Sequence, residues 1–361
     1  MIKSLKKIML APLAVAIISV LVGCGGQLAD SWPGLGIDRE TIYASLGPKV
    51  YALNKETGTQ EWVFPAEETK NGHMFYAPAV EDSAGRVFVG TFQDKFYAFA
   101  KPGKLLWTFA TGGAIVDRAT AVGNTVYVGA NDRKVYALSS EDGSTKWVFD
   151  TQNWNWGSPV YADGLLYVAS MDHHVYCLDA EDGSKKWDYR ADGAIADAPL
   201  LAEGRLFFGD YNRKVHALDA ANGKELWSFS TDHWVWGAPA YYDGLVYVGD
   251  LSGKVYALQA STGQKKWDFK AESGVRAGLV AGDGIVYVVA QKGQGYALDA
   301  GSGAVKWRFA PDHVGEGGEG FLSTPILSGN LLYVVSDRGI VYAFSTDDGA
   351  KKWTFSPVSK E

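Results

Sequence analysis

Apolar and polar residues alternate in short runs through almost the whole chain. Lys254–Gln259 alternates as a half-buried strand does, Ser261-Thr262-Gly263 offers a tight turn whose glycine can take positive φ, and residues 265–269 start a returning strand. This hairpin motif, VYALQASTGQKKW at 255–267, recurs from end to end. Its copies are VYALNKETGTQEW ending at Trp62, VYALSSEDGSTKW at Trp147, VYCLDAEDGSKKW at Trp187, VHALDAANGKELW at Trp227, GYALDAGSGAVKW at Trp307 and VYAFSTDDGAKKW at Trp353, and a copy one residue shorter ends at Trp107.

The spacing of the tryptophans predicts the architecture. Trp62, Trp107, Trp147, Trp187, Trp227, Trp267, Trp307 and Trp353 lie 45, 40, 40, 40, 40, 40 and 46 residues apart, each four positions after a glycine. A period of about 40 residues with several short strands per unit marks a β-propeller blade. The expectation is an all-β chain, an eight-bladed β-propeller of four-stranded antiparallel blades. One blade reads as strand A at 159–161, strand B at 165–169, strand C at 175–178 and strand D at 186–189, with turns at Asp163-Gly164 and Asp182-Gly183. Each docking tryptophan is expected to lie against the glycine of its own turn and the backbone of the next blade, a structural role.

Tyr-Ala-Leu followed by Asp or Asn, then Gly, then Trp four residues later, resembles the tryptophan-docking repeat of the pyrroloquinoline-quinone-type propellers. Quinoprotein alcohol dehydrogenases share that repeat with BamB-type lipoproteins of the outer-membrane protein assembly machinery. The BamB-type resemblance implies a non-catalytic scaffold with envelope proteins as partners. The alternative is a quinone- or carbohydrate-binding propeller related to the dehydrogenases. Those enzymes carry an adjacent cysteine pair, large insertions between blades and a calcium-binding carboxylate set. This chain has no adjacent cysteines and mostly minimal blades, so no catalytic residue, cofactor or metal is expected.

The N-terminus reads as an address. Lys3, Lys6 and Lys7 precede an apolar run at 8–22, and Leu21-Val22-Gly23-Cys24 closes it. This resembles a bacterial lipobox, which implies cleavage after residue 23 and lipidation of Cys24. Gly25 after the cysteine, by the same resemblance, favours the outer membrane over inner-membrane retention. The expected organisation is a signal peptide at 1–23, a lipidated tether at 24–31, the propeller at 32–356 and a tail at 357–361.

Loss of residues 1–23 removes three lysines and no acid, taking the formal charge from −7 to about −10. Such a surface does not attract nucleic acid or anionic lipid in bulk, so neither is an expected partner, and membrane contact is expected through the anchor alone. Cys177 stands where other copies have Ala or His and reads as a buried apolar residue.

Candidate binding residues lie where strand D hands over to the next strand A. Trp154 and Trp156 stand 80 residues before Trp234 and Trp236, and alignment on the proline of strand A places His73 and Phe75 with them. Ala114 and Val116, Ala194 and Ala196, then Gly274 and Arg276 hold the same places in other blades, so large and small residues alternate. The four tryptophans either fill the channel mouth or form a platform for a partner chain, a sugar or a flat ligand. His173 and Arg213, in the loops between strands B and C, and Arg276 are expected beside them. The segment 311–320 holds one histidine and three acids but many glycines, and is not expected to bind a metal. Asp117 and Asp197 are expected to cap strand starts rather than form a catalytic pair.

Overall fold

The computed structural model describes residues 33–65, 73–313 and 318–357. The lipobox, Cys24 and the tether lie outside the described residues. Eight four-stranded antiparallel sheets follow one another, each built in chain order from strand A to strand D. Blade 1 runs from Gly34–Ile37 to Gln60–Phe64 and blade 8 from Ile326–Ser328 to Lys351–Phe355. Blade 4, composed of Val160–Ala162, Leu165–Ala169, His174–Asp179 and Lys185–Arg190, is representative. In it, strands B and C are buried along most of their length because they pack against neighbouring blades on both faces. The outer strand D has only half-buried and exposed positions, alternating from Lys186 onward. Cys177 is fully buried there, opposite Tyr167 and Trp187.

The docking tryptophans pack between blades, with one correction to the expected partner. Each indole lies against the turn glycine of the following blade, not of its own. A Cβ added at Gly263 in blade 6 would come within 2.7 Å of the Trp227 ring of blade 5, and Gly263 also needs its φ of +72°. The Nε1–H of Trp107, Trp147, Trp227, Trp267 and Trp353 donates to the carbonyls of Ser140, Ala180, Ala260, Ala300 and Lys55 at 2.9–3.2 Å. The last of these closes the ring. Trp353 of blade 8 lies on Gly58 of blade 1, and Ser323 Oγ donates to the Pro33 carbonyl on the inner side.

Antiparallel order puts the A–B and C–D turns on one face and the B–C loops with the D-to-A connections on the other. On the second face the backbone ties each connection to the neighbouring B–C loop: Met171 N donates to Trp154 O, Tyr211 N to Ala194 O and Leu251 N to Trp234 O, at 2.9–3.0 Å. The same bond in blade 2 runs from Phe92 N to Met74 O at 2.9 Å. Met74 and Tyr76, not His73 and Phe75, are therefore in register with the tryptophan pairs. Pro78 stands one residue further from the first paired residue of its strand than Pro159 does, as the pairs Val80–Phe88 and Val160–Tyr167 show. Phe75 is buried instead, as are Val235 and Ile115 at the equivalent position.

Candidate functional site

The strand-A starts of all eight blades converge on a central channel with a cavity of about 650 Å³. Tyr76, Val116, Trp156, Ala196, Trp236, Arg276 and Leu322 occupy one register position around its mouth. Small residues in blades 3 and 5 leave room that the indoles of blades 4 and 6 fill.

The result is a continuous aromatic rail. Trp154 stacks on Trp156 with centroids 5.7 Å apart, and Trp156 stacks on Trp236 at 5.9 Å. Trp236 meets Tyr211 at 5.3 Å, and Tyr211 stacks on Trp234 at 5.3 Å and 15°. These separations are those of favourable offset ring pairs. The Arg276 guanidinium lies 4.1 Å from the Trp236 centroid, in cation–π contact. Both ends of the rail face solvent: Trp154 is 46% exposed and Trp234 45%. Phe92, 49% exposed on the same face, packs edge-on against Tyr76.

Of the residues singled out from sequence, the structure brings together Trp154, Trp156, Trp234, Trp236 and Arg276. His173 and Arg213 sit at the tips of their B–C loops, in left-handed conformation with φ of 75° and 62°. Tyr211, the central rung between Trp236 and Trp234, was not identified from sequence. Its signal was an aromatic residue two positions after strand B, where blades 3 and 7 have Asn131 and Gln291. Burial raises the Tyr211 hydroxyl pKa well above its ordinary value, so the ring stays neutral.

Asp117 and Asp197 hold neighbouring blades together at the inner rim. Asp117 Oδ2 accepts from both the backbone N–H and the hydroxyl of Ser158, each at 2.7 Å, and Asp197 Oδ2 accepts from Ala238 N at 2.8 Å. Each also accepts from the N–H of the residue after it, at 2.7 Å. Desolvation, followed by the nearby charge of Asp117, pushes the Asp197 carboxyl upward. In the 311–320 connection, Glu319 is buried and its Oε2 accepts from the Tyr342 hydroxyl at 2.7 Å, a packing role.

Trp156 and Trp236 contact one another, so no gap remains between them for a planar ring. Among the described residues, no group of three or more His, Cys, Asp or Glu side chains is placed to hold a metal ion.

The eight sheets and the tryptophans docked between them define an eight-bladed β-propeller. Three successive segments, residues 47–154, 150–268 and 252–360, match the family described as outer membrane protein assembly factor BamB. The chain belongs to this family. Solved structures of similar fold include BamB from Moraxella catarrhalis, with 19% identity, 88% of this chain and 97% of that chain covered, and a TM-score of 0.73. The computationally designed protein Ika8 aligns at 16% identity over 89% of this chain and 100% of its own, with a TM-score of 0.75. Saccharomyces cerevisiae Sqt1 aligns at 14% identity over 89% and 97%, with a TM-score of 0.74. At these identities the likeness is one of fold. A polyvinylalcohol dehydrogenase from a Pseudomonas species is 33% identical over a segment covering 26% of this chain and only 17% of the dehydrogenase.

Proposed function

We propose that this protein is a non-catalytic scaffold of the bacterial envelope. A lipidated Cys24 holds it on the periplasmic leaflet of the outer membrane, and its loop face docks other envelope proteins, among them the outer-membrane protein assembly machinery. Family membership supports the assembly role. The observation that carries the docking role is the aromatic rail with its two solvent-facing ends, since large indoles that keep one side wet are the side chains most enriched at binding hot spots. The two carboxylates that line the channel, Asp117 and Asp197, accept hydrogen bonds from the neighbouring blades.

Affinity purification of the lipidated full-length protein from a detergent extract of membranes tests this reading. Stoichiometric recovery of envelope proteins is expected, and recovery of none contradicts it. Cys24→Ala should move the protein from the membrane pellet to the soluble fraction, because each buried acyl methylene contributes about 0.8 kcal/mol to anchoring. A variant that stays in the pellet after a salt wash places the anchor elsewhere.

A further inference from the structure

Each exposed indole of the rail follows a side chain that accepts a hydrogen bond from the indole's own backbone. Asn153 Oδ1 accepts from Trp154 N at 2.9 Å, and His233 Nδ1 accepts from Trp234 N at 2.8 Å. Where the alternation puts Ala114 or Ala194 at the same place, the preceding residue is Gly113 or Gly193 and offers no side-chain acceptor. The acceptor therefore accompanies the indole rather than the connection, which is tied down alike in both kinds of blade. Asn131, Met171, Tyr211 and Leu251 donate through their backbone N–H to the carbonyls of Ala114, Trp154, Ala194 and Trp234 at 2.9–3.0 Å.

The two acceptors differ in chemistry. An amide oxygen accepts whatever the pH, whereas an imidazole nitrogen accepts only while it carries no proton. Because the donor is a backbone N–H, the bond fixes His233 as the neutral form with its proton on Nε2. A second proton, on Nδ1, sets donor against donor and breaks the bond, and histidine is the side chain that ordinarily changes charge between about pH 5 and pH 8. His233 is exposed, and its ring meets the Trp234 indole with centroids 5.6 Å apart. Around it, Asp232 pairs with Lys254 at 3.2 Å, and Asp250 Oδ2 accepts from His233 N at 3.1 Å and from the Tyr256 hydroxyl at 3.0 Å. Blade 5 contributes Tyr211, stacked on Trp234, and Arg213, whose carbonyl accepts from Thr231 N at 2.9 Å. The bond to Asp232 raises Lys254, and burial raises the Tyr256 and Tyr211 hydroxyls, so these three keep their charge state across that range.

We propose that His233 positions the Trp234 end of the rail and that acidification releases this end alone, while Asn153 holds the Trp154 end at either pH. This rests on the docking role proposed above and adds its regulation: a partner that grips both ends is held less tightly in acid. Trp234 stays tied through its carbonyl to Leu251 N and through its ring to Tyr211, so the release is local and the blades stay folded. The net worth of one hydrogen bond sets the scale, about twofold to tenfold in the balance between held and released indole.

Fluorine NMR of the full chain labelled with fluorotryptophan tests the proposal. The lines of Trp154 and Trp234 are assigned from Trp154→Phe and Trp234→Phe, and their exposure is read as broadening by a soluble, uncharged gadolinium chelate. An uncharged probe is not drawn to a protonated His233, so the broadening reports where the indole stands. From pH 7.5 to pH 5.5 the broadening of the Trp234 line should rise about twofold or more, and that of the Trp154 line should not change. His233→Asn, which supplies the acceptor that Asn153 supplies, should hold Trp234 at its pH 7.5 value throughout, and His233→Ala should show the acid value at both pH values. Equal broadening of Trp234 at the two pH values in the parent, an equal change at Trp154, or a pH response that survives in His233→Asn overturns the proposal. The measurement needs no partner, so its failure leaves the scaffold reading standing, and failure to recover envelope proteins by affinity purification leaves this result intact.

Discussion

Trp156 and Trp236 stack with centroids 5.9 Å apart although a whole blade separates them, because the intervening blade has Ala196 at the matching position. The two-blade alternation of large and small residues is therefore a packing rule of the channel mouth. It also builds a surface, since stacking the inner pair fixes where Trp154 and Trp234 stand at its ends.

The tryptophans divide into two energetic classes. Removing a packed tryptophan costs about 3–5 kcal/mol, so Trp227→Ala, which opens the interface with Gly263 and breaks the bond to Ala260 O, should strongly lower the urea midpoint. Trp234→Ala, at an exposed position, should cost about 1 kcal/mol or less. Equal losses in chemical denaturation would contradict the division.

The fold itself should weaken as pH rises through the weakly acidic range. Asp197 is pushed up to about 7 in the folded chain from an ordinary value of 3.8. Between about pH 4 and pH 7 the folded state then binds more protons than the unfolded state, so this carboxyl makes stability fall with rising pH and adds no slope above that window. Asp197→Asn should flatten the fall, whatever it does to absolute stability. Urea unfolding of both proteins at pH 5 and pH 7.5 measures the difference, and parallel slopes would remove Asp197 as the cause.

Cys177 should be inert in the native protein. Burial raises its thiol to about 11, and it lies in the middle of blade 4. In a Cys24→Ser background, an aromatic disulfide reagent should modify no thiol natively and one thiol per chain in strong urea. Rapid native modification would show that blade 4 opens.

The blades were legible in sequence because their signals are local. Strand bounds such as Leu165–Ala169 and Lys254–Gln259 follow directly from alternation between turn glycines. The partner of each tryptophan was not local: which glycine Trp227 meets depends on the rotation from one sheet to the next. Residues 73–76 were misplaced by one position because Pro78 suggested a register that the Val80–Phe88 pair overrides. The rail was half legible, since the Trp pairs stood out by their spacing. Tyr211 belongs to a different loop, and the packing of that loop against the connection after blade 5 places it between Trp234 and Trp236.

On the proposed reading, the aromatic rail is where this protein holds its partners. The direct measurement is quantitative affinity purification of lipidated wild-type protein beside the double variant Trp154→Ala, Trp234→Ala, with melting temperatures recorded for both. Truncating hot-spot aromatics commonly costs at least about 2 kcal/mol of binding, equivalent to roughly thirtyfold in affinity, so partner recovery should collapse while the fold persists. Unchanged recovery of every partner by a folded double variant would contradict the account and leave the four indoles with packing alone.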